Sequence, residues 1–392
     1  AAGSSWSSRY TSVSYRSQLT SFREIIPMGD PSGPSSGTIA MLNEVPGTAC
    51  DTAVSNDGVE SGAIIEEVMA AIVCTSICMI QTIVLLILTL LAGCGQVLRV
   101  SEYSRIRMGT RARIVLYAQT EAVAIEASDA AFARIEAIEA VLSDWRSESE
   151  TVSLRQAAPR VWHAVSDDLD QAIQIGHAVW ESTGGAFDFA CGEMTASWRR
   201  SSGLGEPPVA RTEMLVDAGP PGARIRVRPG ALWFEPPVPW LDFGGIGKGL
   251  AADAALETLR AYGVSSALVD IGGDLAIGAP PPSHTGWAIH RSNGLPTLYL
   301  SECGVATSGS SEQHTGGRSH ILDPRSGQWM PLHADITIVA PTAAEADALA
   351  SAACVLGADS LRAALGGRAG IVVLPGALSK PAPACQGDSS EQ

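Results

Sequence analysis

The chain has 392 residues, of which 46 % are apolar and 17 % charged. That is enough to bury one large core or two ordinary ones, and it excludes global disorder. With 41 acidic and 26 basic side chains the formal charge is −15, a field that repels phosphate backbones and excludes nucleic acid as a partner.

Residues 1–60 are rich in Ser, Gly and Thr without a sustained period, and from Val68 to Leu98 no charged residue occurs. The apolar core of that run, Met79 to Cys94, ends in Leu91-Ala92-Gly93-Cys94. An apolar stretch closed by small residues has the form of an export signal with a lipobox, in which the cysteine receives lipid. On this reading residues 1–78 are an upstream extension, Met79 is the start, and 79–94 is a signal. A single membrane helix and a buried helix are the alternatives. Either a lipid on Cys94 or a spanning segment would place the rest of the chain beside a membrane. The other cysteines (50, 74, 78, 191, 303, 354 and 385) form no CxxC pair, so a zinc site is not expected and free thiols are.

Beyond residue 100, Arg111–Ala118 alternates like a strand. A helix is expected over 121–143, with Ile125, Phe132, Ile135, Ile138 and Leu142 on one face. A second spans 166–182, opened by Ser166-Asp167-Asp168 and stopped by Gly184-Gly185. Residues 201–240 carry many Pro and Gly and read as turns and short strands. Leu241-Asp242-Phe243 reads as a strand end, Lys248–Tyr262 as a helix, and Ser265–Ile271 as a buried strand before Gly272-Gly273-Asp274. Short strands follow near 286–290, 297–301 and 335–340. Thr342 and Glu345 have capping-box spacing for a helix over 343–356. A short helix near 358–366, a final strand and a loose tail over 376–392 complete the chain. Helices and strands mix without a βαβ rhythm, so the fold class is α+β.

Five segments carry chemistry. Leu241–Gly249 places four glycines and Lys248 in a turn before a helix, a geometry that lets backbone N–H groups approach an anion. It fails the Walker A pattern, which needs Gly at Asp242 and a hydroxyl at Gly249, and it fails GxGxxG at Leu250. Asp347 and Ser351 are i and i+4, one face of a helix, and with backbone carbonyls they form a hard oxygen set suited to Mg²⁺. The plainer reading of Asp347 is a surface residue stabilising the helix dipole. His320 and Asp323 stand three apart in a loop fit for acid–base work. Ala306–Ser310 is a hydroxyl-rich turn. Gly184–Asp188 ends a helix on an aromatic and a carboxylate.

In this order, and together with Met108-Gly109-Thr110, Ser143–Ser149, Val269–Asp274 and Ala340-Pro341-Thr342, these segments resemble the ApbE family, the FAD:protein FMN transferases, over about residues 105–375. The resemblance implies an α+β, T-fold-related domain with helices packed on antiparallel-rich sheets. It implies an enzyme that uses FAD and Mg²⁺, moves FMN onto a Thr or Ser hydroxyl of a target flavoprotein, and releases AMP. Some relatives of the family instead hydrolyse FAD to FMN and AMP, and a non-catalytic flavin-binding lipoprotein is the third reading. Carried over position by position, Met108, Trp145, Ala186, Phe187, Asp188, Asp242 and Lys248 would contact FAD. The Gly245 and Ala344 carbonyls with Asp347 and Ser351 would hold the metal, and His320 or Asp323 would assist the attacking hydroxyl. Trp145 stands where Tyr is usual and Ser351 where Thr is commoner; Phe189, Glu193, Gly247, Ser310, Ser311 and Ser326 also depart from the pattern. The family has a lipid-anchored form on the outer face of the bacterial inner membrane, consistent with the lipobox at Cys94.

Overall fold

The computed structural model describes residues 61–92, 98–202, 219–291, 295–309, 314–315, 318–331 and 334–376. The proposed extension up to residue 60, Cys94 and all but the first residue of the proposed tail lie outside them. The chain divides into two units, Ala1–Leu86 and Ile87–Gln392. In the first, the described structure is helix α1, which begins at Ser61 and runs to Ala92. Its described side chains, residues 68–83, are all exposed. Among the described residues no helix is long and apolar enough to cross a membrane.

The second unit is built on a seven-stranded sheet. Its strands are β1 (Arg99–Arg107), β2 (Thr110–Ala118), β6 (Ala267–Ile271), β7 (Asp274–Ile277), β10 (Cys303–Ser308), β14 (Ile336–Ala340) and β15 (Val372–Pro375), in spatial order β1-β2-β6-β7-β10-β14-β15. Every neighbouring pair is antiparallel. Two-residue turns close β1–β2 at Met108-Gly109 and β6–β7 at Gly272-Gly273, all four residues at positive φ, as primed hairpin turns require. β2 shows the two-residue period plainly: Ala112, Ile114, Leu116 and Ala118 are buried on one face.

Against that face pack α2 (Glu121–Leu142), α6 (Gly247–Ala261) and α7 (Ala343–Leu356). Thr120 caps α2 by accepting the Val123 N–H, and Phe132, Ile135, Ile138 and Leu142 bury the expected stripe. Ile125 is 44 % exposed because it falls about 80° from the centre of that stripe, at its edge. Helix α7 is buried nearly all round, through seven alanines from Ala343 to Ala353, so neighbouring backbones approach it closely. A Cβ on Gly249 would lie 2.2 Å from the Ala343 carbonyl oxygen, and one on Gly304 2.1 Å from the Ala343 nitrogen.

The opposite face of the sheet carries Leu268, Leu275, Val305 and Val339, covered by Trp287 from the hairpin β8 (Trp287–Ile289) and β9 (Leu298–Leu300). Two three-stranded sheets complete the unit. One holds β3 (Trp162–Ala164), β4 (Ile225–Arg228) and β5 (Ala231–Phe234); the other holds β11 (His314–Thr315), β12 (Arg318–Asp323) and β13 (Gln328–Pro331). The remaining helices are α3 (Glu150–Ser153), α4 (Asp167–Ser182), α5 (Gly192–Ser202) and α8 (Ala358–Ala364).

Several expectations need correction. Ala306–Ser308 belongs to β10 and not to a turn, and His320 and Asp323 stand on β12 and not in a loop, because each segment finds an antiparallel partner. Leu241-Asp242-Phe243 is not a strand end. The segment is tied to another loop by the Asp242 N–H to the Phe189 carbonyl and the Gly192 N–H to the Trp240 carbonyl, which is no continuous ladder. Strand β1 and helix α5 were not anticipated: β1 alternates polar and exposed positions at a sheet edge, and α5 is dominated by polar side chains.

Candidate active site

The glycine-rich segment turns sharply because its carboxylate folds back on it. Asp242 Oδ1 accepts the Gly244 N–H at 2.7 Å, and the Phe243 carbonyl accepts the N–H groups of Ile246 and Gly247. Helix α6 then starts after Ile246, which offers no side-chain cap, and its Gly249 N–H is accepted by a carboxylate of another helix, Asp347. Asp242 is fixed from α5 by the Thr195 hydroxyl and by Arg199, whose guanidinium also binds Asp144.

Asp347 is the buried carboxylate of α7, 1 % exposed, so the surface-dipole reading does not apply to it. Its Oδ2 receives the Gly249 N–H at 3.3 Å and faces Lys248 Nζ at 3.5 Å. Both contacts are longer than the ~2.7–2.9 Å of a good charge-assisted bond. One turn on, the Ser351 hydroxyl lies 2.9 Å from where a Cβ on Gly245 would stand. A Cβ at residue 245 would push the Ser351 hydroxyl from that place, so the bare glycine leaves room for it. Ala344 lies in the first turn of the same helix, which Asp253 anchors by accepting the Ala343 and Ala344 N–H groups at 2.9 Å each. A buried, under-satisfied carboxylate beside a hydroxyl and a bare glycine backbone fits a hard divalent cation. Among the described residues there is no cluster of three His, Cys, Asp or Glu side chains able to hold a metal, so such a cation would depend on hydroxyl and carbonyl oxygens as well as on Asp347.

Lys248 reaches past Asp347 to Asp274 Oδ2 at 2.7 Å. Burial works against its charge, yet Asp347 and Asp274 together hold the ammonium above its ordinary value. Burial pushes Asp274 up to about 7, with Asp347 adding to the rise and Lys248 opposing it. Asp347 is also raised by burial, against the pull of Lys248 and the Gly249 N–H.

At the far end of the turn, the Thr183 hydroxyl receives the Phe187 N–H, and the Phe187 ring lies 3.2 Å from a Cβ placed on Gly245. Asp188 accepts the Ala190 N–H at 2.8 Å and the Gly222 N–H at 2.7 Å. Burial pushes it up to about 6 despite those two bonds.

One cavity of about 980 Å³ gathers Ala186, Phe187, Asp188, Asp242, Gly245, Lys248, Asp347 and Ser351. That is the size of a large small-molecule site. Ala344 stands behind it in α7. Met108 is not in the cavity wall; its N–H binds Glu139, and its methyl group packs toward Gly247. Trp145 is 64 % exposed and also lies outside the wall. His320 is on β12, but its side chain lies outside the described residues. Asp323 is engaged by Arg325, through both backbone and guanidinium, which holds its carboxyl below the usual range against the effect of burial. The neighbouring Ile321, Leu322 and Pro324 face the cavity.

Sequence reasoning assigned no role to Asp274, Thr195, Arg199 or Asp253. Asp274 had a signal, since a carboxylate closing a Gly-Gly hairpin has its backbone position fixed. Thr195 and Arg199 are i and i+4 on a helix too polar to be recognised. The free thiols behave as expected: among the described residues Cys74, Cys78, Cys191, Cys303 and Cys354 are unpaired.

The family model described as "ApbE family" matches residues 108–374. The chain belongs to the ApbE family. Similar curated relatives are an FAD:protein FMN transferase of Treponema pallidum, 31 % identical with 68 % of this chain and 82 % of the relative covered, and one of Klebsiella pneumoniae, 29 % identical with 68 % and 86 % covered. Among solved structures the fold is similar to the ApbE protein of Thermotoga maritima, TM-score 0.60 at 24 % identity over 72 % of this chain and 97 % of that one. It is also similar to the flavin transferase ApbE of Vibrio cholerae, TM-score 0.58 at 22 % identity over 71 % and 93 %. The ApbE match begins at the β1–β2 turn and ends in β15, so it takes in Asp188, Asp242, Lys248, Asp274, Asp347 and Ser351.

Proposed function

We propose that this chain is a Mg²⁺-dependent FAD:protein FMN transferase, moving FMN from FAD onto a Thr or Ser hydroxyl of a target flavoprotein with release of AMP. The observation that carries this reading is Asp347, buried and held by long contacts to Lys248 and the Gly249 N–H, in one cavity lining with Ser351 and the bare Gly245 backbone. Relatives named for this activity, over two thirds of the chain, support it.

Asp347, Ser351 and the carbonyls of Gly245 and Ala344 would hold the cation, which supplies charge neutralisation at the pyrophosphate. The chain's own part is positioning. Lys248, which lines the cavity, draws in the anionic centre. Phe187 and Ala186 offer an apolar wall for a ring system, and Asp242 is braced by Arg199 and Thr195. The acceptor oxygen attacks the FMN-side phosphorus, the bond to the bridging oxygen breaks, and that oxygen leaves with AMP. The acceptor proton passes to a nearby base, for which His320 is the candidate. Asp323 is the weaker one, since Arg325 already holds its carboxylate. Positioning and electrostatics dominate such phosphoryl chemistry.

The test is to mix the purified chain with FAD, Mg²⁺ and an acceptor flavoprotein domain. A covalently yellow acceptor with stoichiometric AMP is expected. FMN and AMP without adduct would mark an FAD pyrophosphatase, and intact retained FAD a binding protein. We also propose an extracytoplasmic, lipid-anchored placement at the bacterial inner membrane, supported by the uncharged run up to Leu98 and Leu91-Ala92-Gly93-Cys94. Mass spectrometry of the protein from its native membrane should find acyl chains on Cys94.

A further inference from the structure

Three charged groups from three elements meet at the cation cradle. Asp347 comes from α7, Lys248 from the first turn of α6, and Asp274 from the start of β7. The ammonium is not shared evenly: it lies 2.7 Å from Asp274 and 3.5 Å from Asp347. The first distance is that of a strong charge-assisted bond and the second that of a long, weaker one. Asp274 has little freedom to follow the lysine. It pairs with Ile271 across a two-residue turn, and the Thr110 side chain sits against that turn, 2.9 Å from where a Cβ on Gly272 would be.

We infer that Asp274 is a positioning residue that acts through Lys248, holding the ammonium off Asp347 so that this carboxylate stays open to a divalent cation. The inference rests on the cation reading above. With the ammonium drawn to Asp274 at 2.7 Å, Asp347 has no counter-ion closer than 3.5 Å among the contacts of Lys248. Without Asp274 the nearest counter-ion of Lys248 is Asp347 itself. An incoming cation would then have to displace an ammonium from the oxygen it needs. With Asp274 in place, Lys248 remains beside the cation position, directed to the same anionic substrate, without competing for the ligand.

The test uses the full chain and Mn²⁺ alone, a hard probe ion for oxygen sites, with bound ion measured from loss of the free-ion electron paramagnetic resonance signal. Asp274→Asn, Lys248→Gln and the double variant are compared with the unmodified chain. Asp274→Asn should weaken Mn²⁺ binding at least tenfold more when Lys248 is present than in the Lys248→Gln background, and Asp274→Glu should recover part of the loss. Lys248→Gln alone should tighten binding, a result that stands even where Asp274→Asn does not fold. An equal loss in both backgrounds would mean that Asp274 acts directly on the ion and would overturn the inference while leaving the cation site standing. So would weaker binding by Lys248→Gln alone. No saturable Mn²⁺ binding by the unmodified chain would remove the cation reading, and this inference with it.

Discussion

Gly249 sets the distance between the two helices that form the cradle, so Gly249→Ala tests the architecture. The substitution has two opposed effects. Inside α6, replacing Gly by Ala favours the helix by about 1 kcal/mol. Against it, the new Cβ would stand 2.2 Å from the Ala343 oxygen, 2.5 Å from its carbonyl carbon and 2.7 Å from Ala344 Cα. All three atoms are backbone of α7, so no side chain can swing away, and the helix must move about 1 Å to restore van der Waals contact. Overpacking of this kind costs typically 1–3 kcal/mol and more where only backbone can yield, so the clash outweighs the propensity gain. The Gly249 N–H bond to Asp347 and the Ala344 carbonyl move with the displacement. A misplacement of about 1 Å at reacting groups lowers turnover on the order of a hundredfold. Urea unfolding should show a lower midpoint at unchanged slope, and flavin transfer at saturating FAD and Mg²⁺ should fall by about two orders of magnitude. A variant as stable as the parent, or stabilised by the helix-propensity amount, would refute the close approach of α6 and α7.

Other outcomes follow from the same geometry. Asp347→Ala should abolish Mg²⁺-dependent turnover in the acceptor assay while leaving the far-ultraviolet circular dichroism unchanged; full activity would remove the metal assignment. Gly245→Ala would set a Cβ 2.9 Å from the Ser351 hydroxyl and 3.2 Å from the Phe187 ring, so Mg²⁺ titrations of activity should show a raised half-saturation concentration. Asp253→Ala strips two N–H partners from the start of α7 and should lower stability by about 1–2 kcal/mol in denaturant titrations. Asp188 has a folded pKa pushed up to about 6 from an ordinary 3.8, so the folded state binds the extra proton between those values. Its contribution therefore favours folding below about pH 4 and is lost as the pH rises to about 6, with a slope of at most ~1.4 kcal/mol per pH unit. Stability measured against pH should lose one proton's worth of that slope in Asp188→Asn, and an unchanged slope would contradict the buried-carboxylate assignment.

Local signals along the chain decided the elements with a strong period or a cap. Thr342 caps a helix where its spacing places it, Ser166 opens α4, and Gly272-Gly273 makes the β6–β7 turn. These features act within one turn or one hairpin, so nearby residues suffice to specify them. The oxygen pair Asp347 and Ser351 and the glycine turn were legible for the same reason, since i, i+4 spacing and runs of glycine are local facts. What local sequence left open was what each residue faces. Asp347 reads equally well as a surface helix residue until α7 is seen packed on all sides by alanine-bearing contacts. Asp274 reads as a turn residue until Lys248, 26 positions earlier in the chain, is found 2.7 Å away. Trp145 and Met108 lie outside the cavity wall because the tertiary packing turns one outward and sets the other against Gly247. Propensity and periodicity act over a few residues, whereas burial and charge pairing depend on which distant segments the antiparallel sheet brings together, and only the folded chain settles that.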